Sequence, residues 1–121
     1  MTGASVGVLL SAAVTLSCSN PDLHVEGRVL LRGSPAKPWC TLELRDATDP
    51  RRSAGVVGVQ ASERFSVRFA EGREKIISDD STPLVVVVLC EGYAPGRRAV
   101  GHDPMRRGID LGMVVVDPKR D

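Results

Sequence analysis

A chain of 121 residues, 42% of them hydrophobic, holds apolar material for one core and so for one domain. Sixteen Lys and Arg against fifteen Asp and Glu leave a formal net charge of +1, so no global field draws the protein to nucleic acid or to an anionic membrane. Its four aromatic side chains, Trp39, Phe65, Phe69 and Tyr93, are too few for the stacking surface that single-stranded nucleic acid needs, and no nucleic-acid partner is expected.

The first twenty residues carry no charged side chain, and residues 6–16 form an apolar run flanked by small residues. Such a run is short for a bilayer span, which takes roughly 20 apolar residues, and it reads as a secretory signal. Directly after it, Thr15-Leu16-Ser17-Cys18 resembles the bacterial lipobox, in which a small residue precedes the cysteine that is lipidated and becomes the mature N-terminus. The resemblance implies a lipoprotein-type signal peptide over 1–17, lipidation of Cys18 and a tether over 18–22. A soluble secreted protein, or an ordinary buried strand or helix over this segment, are the other readings.

Strand signals then recur at short intervals, with no helical period. Residues 25–31 predict a first strand, ended by the turn signal Gly33-Ser34-Pro35, and residues 39–46 a second, closed by Asp46, Asp49 and Pro50. In the second, alternation puts Cys40, Leu42 and Leu44 on one face and Thr41, Glu43 and Arg45 on the other. Residues 55–60 form a weaker third strand because their two glycines pack poorly. After Ala61-Ser62-Glu63, a fourth strand over 65–69 turns Phe65, Val67 and Phe69 inward. The charged stretch 71–80 is the longest expected loop, with room for one helical turn. Residues 84–89 are apolar on both faces and read as a central strand ending on Cys90. Residues 97–101 and 109–116 complete seven strands, which argue for an antiparallel β-sandwich.

Three cysteines less a lipidated Cys18 leave Cys40 and Cys90, an even remainder suited to an oxidising compartment. An inward face for Cys40 and a buried strand end for Cys90 predict a disulfide between them, provided that the second and fifth strands are neighbours or face each other. Two free buried thiols acting as small hydrophobes are the alternative. Their spacing is wrong for a metal site, and no cofactor is expected.

The order Val25-x-Gly27-x-Val29, Gly33-x-Pro35, an inward strand at 40–44, Phe65-x-Val67, Cys90-x-Gly92-Tyr93, and Asp110-Leu111-Gly112 before Val114-Val115-Val116 resembles the carboxypeptidase regulatory-like domain. The resemblance covers nearly the whole chain after Cys18. It implies a prealbumin-like (transthyretin-like) Greek-key β-sandwich over 23–117 with a tail over 118–121. It also implies a non-catalytic module, commonly exported or attached to cell-surface proteins. In the segment Cys90-Glu91-Gly92-Tyr93, Gly92 suits a positive-φ turn and Tyr93 can lay its ring over the core edge while its hydroxyl finds a partner.

The expected role is therefore binding or structural, at a bacterial cell envelope. The chain would be membrane-anchored through the lipid on the periplasmic or outer face, with an envelope protein or polysaccharide as partner. A carbohydrate-binding module is the alternative, and Trp39, in a Pro-rich approach to its strand, is the possible ligand contact. An enzyme reading rests on His24-Val25 and Gly33-Ser34-Pro35-Ala36, which look similar to motifs of the transthyretin-related hydrolases that open 5-hydroxyisourate. No coherent set of catalytic residues is expected: Ser11, Ser17 and Ser53 sit in no nucleophile elbow. Asp79-Asp80 with Glu71 and Glu74 lack calcium-loop spacing, and His24 and His102 read as a strand and a turn residue. The pairs Arg51-Arg52, Arg97-Arg98 and Arg106-Arg107 read as scattered solubilising charge.

Overall fold

A computed structural model describes residues 22–35, 38–79, 81–100 and 108–119. The signal peptide and tether before Asp22, lipidation at Cys18, His102, Asp80 and the Arg106-Arg107 pair lie outside these residues. Seven strands follow in order: β1 (Asp22–Leu31), β2 (Trp39–Asp46), β3 (Asp49–Gln60), β4 (Arg64–Ala70), β5 (Leu84–Cys90), β6 (Gly96–Val100) and β7 (Gly108–Val116). No helix occurs among the described residues.

The strands form two sheets, β4-β1-β7 and β3-β2-β5-β6, with one cluster of buried apolar side chains drawn from both. Alternation decides which side chains enter it. Leu23, Val25, Val29 and Leu31 of β1 are buried while His24, Glu26, Arg28 and Leu30 lie on the outer face. Leu42 and Leu44 of β2 and Val86 and Val88 of β5 are fully enclosed, each contributing about 1.5–3 kcal/mol of burial. The outward Val85 and Val87 of β5 are also buried, because β5 lies between β2 and β6 and carries Glu43, Arg45 and Arg97 as cross-strand neighbours.

An all-antiparallel sandwich is corrected at one pair: β1 and β7 run parallel, whereas β1–β4, β2–β3, β2–β5 and β5–β6 are antiparallel. Every connection reverses the chain, so the first and seventh strands point the same way, and as neighbours they can only be parallel. Their ladder carries a bulge. Glu26 pairs with Asp110 and Arg28 with Met113, so Leu111 and Gly112 together oppose Gly27. Gly112 takes φ 68°, and its N–H donates to Asp110 Oδ1 at 2.8 Å. A Cβ on Gly27 would stand 2.8 Å from the Gly112 carbonyl oxygen and 3.1 Å from the tip of the Phe65 ring; glycine here is a condition of close approach.

The strand directions sort the turns to two ends. The near end holds Asp22, the β2–β3 hairpin and the β4–β5 loop. The far end holds the β1–β2, β3–β4 and β5–β6 connections and residues 117–119. At ~3.3 Å per residue the two ends are separated by about 30 Å along β1.

The stretch expected as the longest loop is a loop over the described residues 71–79, and the room it offered for a helical turn is not used. Glu71 folds back to accept the N–H groups of Ile77 at 3.0 Å and Ser78 at 2.6 Å. Asp79 accepts from the Ser81 N–H and hydroxyl and from the Thr82 hydroxyl, and Lys75 adopts φ 52°. These local bonds compete with helical ones. They also seat Ile76 and Ile77 in the core, at 0% and 5% exposure.

Candidate functional site

The far end is welded by a Cys40–Cys90 disulfide. The two cysteines are direct cross-strand partners in the β2–β5 ladder. Their Cα atoms are 4.3 Å apart, the spacing of a non-hydrogen-bonded antiparallel pair. Both are buried, as alternation in β2 and the apolar run in β5 predict. The bridge therefore lies within one sheet, between neighbours.

Beyond the bridge the chain turns through Gly92, at φ 85°, and the Tyr93 N–H donates to the Cys90 carbonyl at 3.0 Å. Tyr93 is 7% exposed, and its hydroxyl donates to the Arg32 carbonyl at 3.1 Å. The ring joins the core and the hydroxyl finds a partner, as the sequence indicates; the structure adds that the partner lies just after β1, at Arg32. The chain after β7 then adds to this turn. Ala94 N–H donates to Asp117 O at 2.8 Å and Lys119 N–H to Gly92 O at 3.0 Å, while Arg32 and Asp117 pair at 3.2 Å. Between these segments lies an open cleft of about 460 Å³, lined by Arg32, Gly33, Ser34, Pro35, Glu91, Gly92, Tyr93 and Pro118.

Trp39 stands beside the disulfide on the outer face of the four-stranded sheet. It is 61% exposed and pairs with Gln60 across the β2–β3 ladder. The ladder extends one step further through Ala61 N–H to Pro38 O at 2.6 Å. On the other side, Glu91 follows Cys90 just as Trp39 precedes Cys40, so Trp39 and Glu91 are the next residues past the bridge. Gln60 and Glu91 were not singled out in the sequence. For Gln60 the signal is the strand phase, which sets it across from Trp39; Glu91 lies in the turn after β5, where strand phase gives no signal, and lines the cleft.

His24 pairs with Arg68 on the outer face of the three-stranded sheet, where Arg68 Nε donates to His24 Nε2 at 3.2 Å and also meets Asp22 at 3.4 Å. Arg64 bridges Glu26 at 2.8 Å and Asp110 at 3.9 Å on the same face. The Gly33–Ser34–Pro35 turn is at the opposite end of β1, so the two motifs of the enzyme reading are not brought together. Arg68, which the sequence did not mark, is the group beside the histidine.

At the near end, Asp46 is buried and accepts from the Thr48 N–H and hydroxyl and from Arg52. Arg52 also donates to the Glu74 carbonyl at 2.8 Å, tying the β2–β3 hairpin to the β4–β5 loop. The Thr48 hydrogen bonds, with Arg52 assisting against the cost of burial, hold the Asp46 carboxyl below its ordinary value. The Ser81 and Thr82 bonds do the same for Asp79. Glu71 and Asp79 are thus committed to their own loop. Among the described residues no group of three or more His, Cys, Asp or Glu side chains is placed to hold a metal ion.

No family model matches the chain, and no curated protein is significantly similar to it.

Proposed function

We propose that the protein is a non-catalytic β-sandwich module of a bacterial cell envelope, held at the membrane by a lipid on Cys18 and presenting its far end to an envelope protein or polysaccharide. The observation that carries this reading is polarity. The chain enters the fold at Asp22, only four positions after Cys18, while the cleft, the disulfide and Trp39 lie about a strand length away. A tether at one end and an exposed aromatic at the other suit a presenting domain. The Cys40–Cys90 disulfide supports an oxidising location. The strand order β4-β1-β7 over β3-β2-β5-β6, with β1 set between the fourth and seventh strands, supports the Greek-key, prealbumin-like assignment and with it the carboxypeptidase regulatory-like resemblance.

Fractionation of the full-length protein tests the anchor: Cys18→Ala releases it from membranes and lowers its mass by the acyl groups. A variant that stays equally membrane-bound and equally heavy removes the lipoprotein reading.

One observation favours a second reading, a transthyretin-related hydrolase: the contact between Arg68 and His24 places a guanidinium against an imidazole, a pairing suited to anion binding and water activation. The purified protein is expected to leave 5-hydroxyisourate unopened. Ring opening that disappears in His24→Ala would replace the module reading with this one.

A further inference from the structure

We propose that the edge of β3 over residues 56–60 pairs antiparallel with the same edge of a second copy of this chain, joining two four-stranded sheets into one of eight. The inference needs neither the lipid nor the module reading. β3 ends its sheet and has only β2 as a ladder partner. Two observations fix which of its backbone groups stay free. Cys40 and Cys90 stand at 4.3 Å between Cα atoms, the spacing of a non-hydrogen-bonded pair, so the peptide groups of Cys40 point away from β5 and towards β3. Ala61 N–H donates to Pro38 O, which sets the same phase one rung pair earlier in β2. Val57 and Val59 therefore commit their N–H and C=O groups to β2, while those of Val56, Gly58 and Gln60 point off the sheet.

Proteins blunt such edges with charge, proline, bulges or shortness, and the other edges here are blunted. β4 carries Arg64 and Arg68. β6 is five residues long and holds Arg97 and Arg98. On β7 the Arg98 guanidinium donates to the Met113 carbonyl at 2.6 Å. The first half of β3 has Pro50, Arg51, Arg52 and the register shifts. Over Val56-Val57-Gly58-Val59-Gln60 all of these devices stop. A second copy set against the β4 or β6 edge brings arginines together; against residues 56–60 it meets no charge.

The free groups match themselves. A two-fold axis at Gly58 sets Val56 against the partner's Gln60 and Gly58 against the partner's Gly58, and about six hydrogen bonds form, two for each of three pairs. The outer face gains as well. Trp39 and Val56, 61% and 57% exposed, are the most exposed large hydrophobic side chains among the described residues. Trp39 lies across from Gln60, so the partner's Val56 falls two strand spacings away, about 10 Å between Cα atoms, a gap that the indole and the valine lean across together. The seam is short and belongs with interfaces under about 1,200 Å², so the pair forms and parts with concentration. Pairing closes at two, because the patch is used up on itself. The paired strands run antiparallel and turn the two Asp22 ends opposite ways, so anchored copies pair lying along a membrane and only the monomer stands upright on it.

Full-length Cys18→Ala protein, which carries no stray thiol at that position, is expected to sediment as a monomer–dimer equilibrium, with mass rising as concentration rises. Emission from Trp39, the only tryptophan, moves to shorter wavelength in step. Val56→Lys in the same background stays monomeric and keeps the wild-type melting temperature. Cysteine scanning reads the register. Gly58→Cys places two thiols on residues about 5.5 Å apart at Cα, within disulfide range, and a Cβ there meets nothing nearer than the Cys40 carbonyl at 4.0 Å. Oxidation cross-links this variant and spares Val56→Cys, whose two positions are four residues, about 13 Å, apart along the strands. A single-chain mass at every concentration, dimers that survive Val56→Lys, or cross-linking of Val56→Cys in place of Gly58→Cys would each overturn the proposal. So would a chain that stays single yet takes up a foreign extended peptide at this edge. Membrane attachment, scored by fractionation, moves none of these readouts.

Discussion

Removing the cross-link with a Cys40→Ala/Cys90→Ala double variant isolates the largest single constraint on the far end. The cysteines are 50 residues apart in sequence, and closing a loop of that length withdraws about 4 kcal/mol of denatured-state entropy in the chain-entropy model. A domain of this size shifts by about 4–8 °C per kcal/mol, so a loss of the full amount lowers the melting temperature by about 15–30 °C. Urea titrations identify the source of the loss. Freed of its cross-link, the denatured chain expands and exposes more surface, so the m-value rises together with the drop in midpoint. A melting temperature within about 4 °C of wild type refutes the assignment of this stability to loop closure. A large drop with an unchanged m-value refutes it differently, moving the effect to native packing around the two buried positions.

Gly27→Ala drives a methyl into the Gly112 carbonyl, a backbone atom that cannot rotate aside. It is expected to cost about 1–3 kcal/mol by overpacking, read as a lower urea midpoint at unchanged m-value; Gly72→Ala, where a Cβ meets nothing within 4 Å, is the control. Acid sensitivity follows from Asp46 and Asp79, whose folded-state values lie below the ordinary 3.8. Their contribution is complete above that value and is lost as pH falls through the depressed folded values, so melting temperature declines below about pH 4. Asp46→Asn, which keeps an acceptor for Thr48 but not the charge facing Arg52, shows a shallower decline. Parallel pH curves for the variant and wild type remove Asp46 from the account.

The seven strands and their inward faces were readable because alternation and turn residues are local signals. Residues 84–90 show this best, where apolarity on both faces marked β5 as central before any partner was known. Pairing was less legible. Nothing in the period of β1 or β7 says that they adjoin, although the two halves of that contact, Gly27 and Gly112, both stood in the motif series. The first half of β3 was missed because Pro50, Arg51 and Arg52 argue against a strand, and the structure accommodates them at a sheet edge with register shifts against Leu44, Arg45 and Asp46. Ile76 and Ile77 were hidden in a charged stretch, where loop hydrogen bonds rather than periodicity turn them inward. At the far end, Trp39, Cys40, Cys90, Gly92 and Tyr93 were individually marked. Their convergence, and the placing of Gln60 across from Trp39 and of Arg68 across from His24, depend on which strands adjoin.

The parallel pairing of β1 and β7 also has a mechanical meaning. The chain enters β1 at one end of the sandwich and leaves β7 at the other, so tension applied between the start of β1 and the end of β7 pulls these two neighbours along their length in opposite directions. The hydrogen bonds between them are then loaded together in shear rather than opened one at a time, and rupture waits on the simultaneous failure of the ladder. Survival under such a load is set by the rate of unfolding rather than by equilibrium stability. A domain pulled by the start of β1 and the end of β7 would meet the force on its most resistant axis.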